Sequence, residues 1–497
     1  YSVTEQRGEF DIYAKKATAS VWGVKVLKLL GYDHEFKVEE GKLDGNLHFV
    51  IDEKRLKLDS TRLVFADSQW KVTRLPYPVE DLDTDLTIAH QGIEFRSFKG
   101  KYNQSRISLK GQILTEPAAL ALDLYAASVN LEDWRSLFPS LEEWKVSGTA
   151  DLSLKIDGRL RDPRFQGEVR IDGGSLTIPE SQFNLDGLRL LAKVSGDDLN
   201  FSYMEGKLDG APFFLKGTIA EFKDPKFNLD LNFSSFNPGK ILPPSFPIQG
   251  GQLDGNLKIT GKFTSLVLNG VLSTKSIKWS GEDFRDVEVA GEYRWYTDHL
   301  RINKLKFKAL ESEVKASGEV INLTSVPIVK GEATAKGIDL KQIPRELLET
   351  NKIPMLKGNA DLKMSFQGPF SDLIGRGELE ITNGWIDRLN YDNLHLYFSC
   401  NQERINSRAF LSKNEGKAIF TGWLEPKTGK YQGDFLLRKM DFGSSLLTGD
   451  LTAIGGLFNG SFTLKGILGS LDSLAGRGWL EVNNLHYGDK YFGVLKL

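Results

Sequence analysis

A single cysteine, Cys400, stands in 497 residues, so no internal disulfide can staple this chain. Cys400 itself reads as a small buried apolar side chain. No run of about 18 apolar residues occurs, which excludes a membrane-spanning helix within the sequence. No signal peptide is visible. Charge of one sign is lacking too. The formal net charge is −2 and the pI is near 6.4, and no basic cluster carries interleaved aromatics, so nucleic acid is not an expected partner. Histidine is scarce. His34, His48, His90, His299, His395 and His486 show no metal-ligand spacing with a second His, Cys or carboxylate. Neither a Walker-type loop nor a Gly-x-Ser-x-Gly elbow is present. The sequence therefore offers no catalytic, cofactor-binding or metal residue, and the chain is read as a non-enzyme.

The composition, 40% hydrophobic and 26% charged, is that of a folded protein, and its order is repetitive. A strand ending in glycine recurs: Leu152, Leu154 and Ile156 before Gly158; Leu257 and Ile259 before Gly261; Leu362, Met364 and Phe366 before Gly368; Phe462 and Leu464 before Gly466. These glycines are 103, 107 and 98 residues apart. A second glycine (Gly167, Gly270, Gly377, Gly478) is expected to open a new strand, carrying Val169 and Ile171 in one copy and Leu379 and Ile381 in another. A third phrase holds Leu109 before Gly111, Leu215 before Gly217, Ala316 before Gly318 and Phe420 before Gly422, with Gly8 in the same register. A fourth mark is an apolar residue before Asn or Asp: Val129-Asn130, Phe236-Asn237, Ile338-Asp339 and Met440-Asp441.

Within this period the chain alternates apolar and polar residues, as at Leu120, Leu122 and Leu124 or Phe227, Leu229, Leu231 and Phe233, which places one type on each face of a sheet. Asp172-Gly173-Gly174, Asp209-Gly210, Asn269-Gly270 and Asn383-Gly384 read as turns between antiparallel strands. The Asx mark predicts a short helix once per repeat. Asn130 would cap Leu131, Trp134, Leu137 and Phe138; Asp339 would precede Leu340, Ile343, Leu347 and Leu348; Pro238 would follow Asn237. Pro139 and Pro243-Pro244 keep such helices short, Trp134 and Trp144 are expected to pack against one, and Ser20–Leu30 reads as a longer helix or a strand. Trp279, Trp385, Trp423 and Trp479 are expected near strand ends. Asp81, Asp83 and Asp85 alternate; a calcium site is conceivable, a solvated strand face the better reading.

The expected fold is all-β with few short helices: an elongated, curled antiparallel groove of tandem repeats of about 100 residues. The segments are 1–41 (end of a truncated repeat), 42–145, 146–248, 249–354, 355–453 and 454–497 (start of a fifth). Strands of about ten residues with their turns would number roughly 45, stacking to roughly 200 Å at about 4.8 Å each. An open apolar interior would take lipid tails at roughly 0.8 kcal/mol per buried methylene. The residues expected to line it are Leu109, Leu152, Leu154, Ile156, Val169, Ile171, Leu215, Leu229, Leu231, Leu257, Ile259, Leu362, Met364, Phe366, Leu379, Ile381, Phe420, Phe462 and Leu464. Two rival readings are an adhesive array of tandem β-sandwiches, in which these residues would be a closed core, and an outer-membrane barrel, which lacks the expected aromatic girdles.

The glycine-ended strand, the strand after it and the apolar-Asx helix start resemble the AsmA-like family of bacterial envelope proteins, of the TamB and YhdP type; Arg161–Leu176 is the best single match. The resemblance implies a taco-shaped β-groove in the periplasm, an inner-membrane anchor and phospholipid movement toward the outer membrane. The partners it implies are phospholipid or another acyl-chain lipid, both membranes through parts outside this chain, and an envelope protein. Starting at Tyr1 and ending in the alternating Val494–Leu497, the chain reads as a piece of a longer protein with its anchor elsewhere. In such a protein the glycosylation patterns at Asn103 and Asn459 would be idle.

Overall fold

The computed structural model is nearly all strand. It describes residues 8–497 apart from 30–35, 136–144, 239–247, 343–355 and 442–453, and short gaps at 53–54, 73–74, 90, 116–117, 160, 179–182, 222–223, 280–281, 310, 370–371, 387–388, 469 and 488–489. Among the described residues, 29 strands belong to one antiparallel hydrogen-bonded sheet. The sheet is not closed into a barrel. Among the described residues Gly8–Thr18 pairs only with Phe36–Asp52, and Lys490–Lys496 only with Ser470–Tyr487.

The estimate of about 45 strands of about ten residues is corrected to 29 strands, many of them 11–18 residues long. The excess came from reading internal glycines as turns. Asp209-Gly210 is a turn, with φ of 49° and 89°. Asn269-Gly270 instead lies inside Val267–Trp279, with Gly270 opposite Gly291. Asp172-Gly173-Gly174 and Asn383-Gly384 are also internal, to Asp162–Ile178 and Ile374–Ile386, where Gly173 and Asn383 have φ of 67° and 50°. Positive φ bends a strand without ending it.

The chain divides into two compact units, residues 1–236 with 256–263, and 237–255 with 264–497. Each is built the same way. In the first, Lys145–Arg159, Asp162–Ile178, Phe183–Ser195, Asp198–Leu208, Ala211–Ala220 and Lys226–Phe236 form a six-strand meander. In the second, Leu356–Pro369, Ile374–Ile386, Leu389–Cys400, Ile405–Lys413, Gly416–Leu424 and Lys430–Asp441 do so. Gly158, Gly261, Gly368 and Gly466 are each the next-to-last residue of a strand, as expected. The strands holding Gly167, Gly270, Gly377 and Gly478 begin earlier than predicted, at Asp162, Val267, Ile374 and Ser470. The segment boundary at 41/42 falls inside the strand Phe36–Asp52.

Period-two alternation sets the faces. In Lys145–Lys155 the polar side chains are exposed and the apolar ones half-buried or buried. Register aligns the apolar residues into rows across strands. One row in the second unit runs Ala335, Leu362, Leu379, Leu396, Ala409, Phe420, Phe435, Phe462. Large side chains in these rows cover glycines on neighbouring strands. A Cβ at Gly331 would sit 2.9 Å from Phe366 Cζ, and one at Gly377 2.9 Å from Phe398 Cζ. Aromatics laid over strand glycines restore packing that the glycine lacks. Cys400, half-buried rather than buried, covers Gly375 in the same manner.

A further repeat signal, missed above, is Gly-x-x-Asp/Asn: Gly41/Asp44, Gly148/Asp151, Gly251/Asp254, Gly358/Asp361 and Gly456/Asn459. All five glycines have φ between 113° and 149°. The side-chain oxygen reaches a bulge on the preceding strand and accepts its backbone N–H: Lys16 to Asp44, Ser128 to Asp151 (2.9 Å), Gly337 to Asp361 (2.7 Å), Lys439 to Asn459 (2.8 Å). The bulge residues have positive φ, so their N–H groups leave the ladder and need this acceptor.

Two residues beyond the bulges at Ser128, Gly337 and Lys439 stands the Asx mark. Asn130 Oδ1 accepts the Glu132 N–H at 3.0 Å and starts the helix Leu131–Arg135; Asp339 Oδ1 accepts the Lys341 N–H at 3.1 Å and starts the turn Leu340–Gln342. These turns cover the apolar face: Leu131 packs on Ala126, Val129 and Ala150, and Leu340 on Ala360, Ile381 and Tyr391. Pro238 starts a helical turn. Leu137, Phe138, Pro139, Trp144, Pro243-Pro244, Ile343, Leu347 and Leu348 lie outside the described residues, as does the side chain of Trp134. The segment after Thr18 is a helix, Ala19–Leu29; Gly23 lies against Phe65 and Val38, above the largest buried cluster of the first unit. Trp479 is corrected: it lies mid-strand opposite Ser461, whereas Trp279, Trp385 and Trp423 sit near strand ends.

Gly111 has φ of 120°, and a Cβ there would overlap the Ala121 carbonyl oxygen. Gly111→Ala is expected to cost about 2–4 kcal/mol in denaturant unfolding. Gly187→Asn, at φ of 59° with open space around it, should be near neutral. Asp151→Ala should cost about 1–2 kcal/mol and speed hydrogen exchange of the Ser128 amide specifically.

Candidate functional site

The 19 residues expected to line a groove share the apolar face. In the first unit Leu109 and Leu154 flank Leu124, Leu152 faces Val169, Ile171 faces Ala150, Ile156 faces Phe165, Leu215 faces Leu231, and Leu229 faces Gly217. Leu257 and Ile259 are half-buried on Leu253–Lys262. In the second unit Leu362, Leu379, Phe420 and Phe462 share the row described above. Met364 faces Gly377, Leu464 faces Gly433, and Phe366 faces Gly331. Leu229 is 7% exposed and Ile381 1%; the other seventeen are half-buried. Ile381 lies beneath Leu340, so at that position the apolar face is covered rather than open.

The apolar face of the second unit holds a hollow of about 550 Å³ lined by apolar residues alone, including Leu394, Leu411, Phe420, Phe435, Met440 and Leu480. Phe435 lies between Phe420 and Phe462, ring centroids 4.8 and 5.2 Å away, the latter stacked at 14°. Only Phe420, Phe462 and Leu464 of its lining were expected from sequence to line a groove. Phe435 and Leu437, or Leu394 and Leu396, carry the same alternation and would have been found by extending it to every strand.

A larger concavity lies elsewhere, on the polar face of the same unit. It measures about 810 Å³ and is lined by Arg294, His299, Arg301, Lys330 and Arg376 together with Glu292, Glu319 and Glu332. Much of the remaining polar face is a mesh of ion pairs. Glu313 accepts from Lys306 at 2.6 Å and Lys315 at 2.9 Å, and these two ammonium groups hold its carboxyl down at about 2. Such exposed pairs contribute little each.

No group of three or more His, Cys, Asp or Glu among the described residues could hold a metal. Asp85 is bidentate with Arg62 (3.0 and 2.8 Å), Asp83 accepts the Asp67 N–H (3.1 Å), and Asp81 pairs with Lys101 (2.7 Å). A bulge between Glu80 and Asp83 also breaks the assumed alternation. His48 contacts Asp11, His299 contacts Glu319, His395 stacks on Tyr397 and His486 on Tyr491; His34 and His90 lie outside the described residues. Asn459 is used in its bulge clamp. No described helix is long and apolar enough to cross a membrane. No family model, curated protein or solved structure matches the chain.

Because the Glu313 carboxyl is depressed, its ion pairs support the fold fully above about pH 4.5, and that support fades as pH falls through about 2. Lys306→Met should move the Glu313 midpoint upward toward 4.5 in an NMR titration.

Proposed function

We propose that the chain is a non-catalytic lipid conduit whose apolar sheet face holds acyl chains, in the periplasm between inner and outer membranes. The observation carrying this reading is the hollow bounded by Leu394, Leu411, Phe435 and Leu480: a concave surface with no polar lining, on a face whose apolar rows are mostly half-buried. An apolar surface of this kind gains roughly 0.8 kcal/mol for each methylene removed from water and needs no polar group to recognise a hydrocarbon tail. The rows favour a chain-like ligand, because they continue from strand to strand without an intervening charge. Envelope location, phospholipid as cargo and an envelope protein as partner rest on the resemblance to AsmA-like proteins. The rival adhesive array needs two packed sheets per repeat, and the consecutive pairing of strands in one sheet disfavours it.

A photo-crosslinking amino acid placed at Leu154, Ile259, Phe366 or Phe435 should capture lipid in intact cells, while Lys155, Lys258 and Ser365 should not. Absence of lipid at every inward position of a folded protein would make the apolar face a dry core and remove the reading.

A further inference from the structure

The polar face of the second unit carries a feature that a hydrocarbon-binding face does not use. Two hollows lie on it. One is the charged concavity already described; the other, about 590 Å³, is lined by Tyr397, Asn406, Arg408, Trp423, Gln432 and Asp434. Ser399 borders both, so they adjoin. Each forms where glycines face one another across the ladder, Gly318 opposite Gly331 and Gly422 opposite Gly433. Paired glycines let a sheet bend where side chains would resist.

We propose that these adjoining hollows form a binding site for an acidic polysaccharide. Sugar rings present an apolar C–H face and a rim of hydroxyls, so they are recognised by flat aromatic rings flanked by planar hydrogen-bonding groups. Tyr397 and Trp423 supply the rings. Tyr397 is 45% exposed, backed by His395 at 4.6 Å; Trp423 is backed by the Arg404 guanidinium at 4.3 Å. They stand two strands apart and two residues offset along the strand, roughly 12 Å, which suits alternate sugars of a chain. Between and beside them, Asn406 and Gln432 offer amide groups with both donors and acceptors, and Arg408 a guanidinium.

The acid groups of such a chain would meet the charged concavity. Five basic residues line it against three carboxylates. Glu292 is held by Arg294 at 2.7 Å, and Glu319 lies 3.4 Å from His299. Among the described residues Arg301 and Lys330 form no ion pair within 4 Å, although Glu319 stands opposite both in register, and Arg376 donates only to Ser365 Oγ at 3.2 Å. Guanidinium groups bind carboxylates in bidentate fashion, which gives the site its preference for acidic chains.

The site is lined mainly by the opposite face from the proposed lipid surface, with Phe366 common to both, and its test with soluble sugars is independent of that reading. Calorimetric titration of the full chain with hexagalacturonate should show binding. Maltohexaose, neutral and equally long, should bind much more weakly, and polyaspartate of matched charge should not compete. Trp423→Ala should weaken hexagalacturonate binding about tenfold, Trp423→Phe should largely retain it, and Arg376→Gln should weaken it about tenfold. If Trp423→Ala lowers the melting temperature, Tyr397→Ala, at an exposed ring, replaces it and should show the same loss. Absence of hexagalacturonate binding, unchanged affinity in a folded Trp423→Ala or Tyr397→Ala variant, or equal competition by polyaspartate would overturn the proposal. Equal binding of maltohexaose would overturn the role given to Arg301, Lys330 and Arg376.

Discussion

Main-chain hydrogen bonding between consecutive strands is the constraint on which everything else here depends. Most strands find their partners in the strand before and the strand after, as Leu389–Cys400 does between Ile374–Ile386 and Ile405–Lys413; the short Ile248–Gly251 instead pairs with Val267–Trp279. The ladder satisfies backbone groups between strands that are mostly neighbours in sequence, and that pairing sets their order. It does not bury the apolar face by itself. That face is instead covered piecemeal: by the helix Ala19–Leu29 over Phe65, by Leu131 over Val129, by Leu340 over Ile381, and by aromatic rings over glycines. What these leave open is the surface available to a ligand.

The bulges explain why the repeat has its period. A residue such as Ser128 or Lys439 takes positive φ, its N–H turns out of the ladder, and Asp151 or Asn459 on the next strand accepts it. The glycine three residues earlier on that strand permits the close approach; a Cβ at Gly148 would lie 2.6 Å from Gly174 Cα. Two residues after the bulge, Asn130 or Asp339 opens a helical turn. Bulge, clamp and helical turn thus form one device, seen whole around Asn130 and again around Asp339, that bends the sheet and sets cover on its apolar face.

The two faces then acquire different chemistry from one alternating pattern. The apolar face offers dispersion and hydrophobic contact without direction. On the polar face Glu313 is neutralised by Lys306 and Lys315, whereas Arg301, Lys330 and Arg376 gather in a hollow with no ion pair among the described residues. An apolar surface and a cationic, aromatic surface can therefore coexist on one layer of strands without interfering.

The sequence by itself determined the all-β class, the period, the two faces and the position of the capping Asx residues. All are written in short-range order: alternation at two residues, glycine at strand ends, Asn or Asp before an apolar helix start. Gly-x-x-Asp was equally legible and was passed over because its partner lies on another strand. Tertiary structure alone decided the rest. Asn269-Gly270 has the residues of a turn yet lies in mid-strand, because Gly291 and the ladder around it hold it extended. Ile381 has the same local pattern as Leu379, yet the helical turn at Leu340 buries it. The hollows exist because register sets glycine opposite glycine and Phe435 between Phe420 and Phe462. Register is a relation between strands, and curvature is the sum of many such relations, so neither is contained in any one strand's residues.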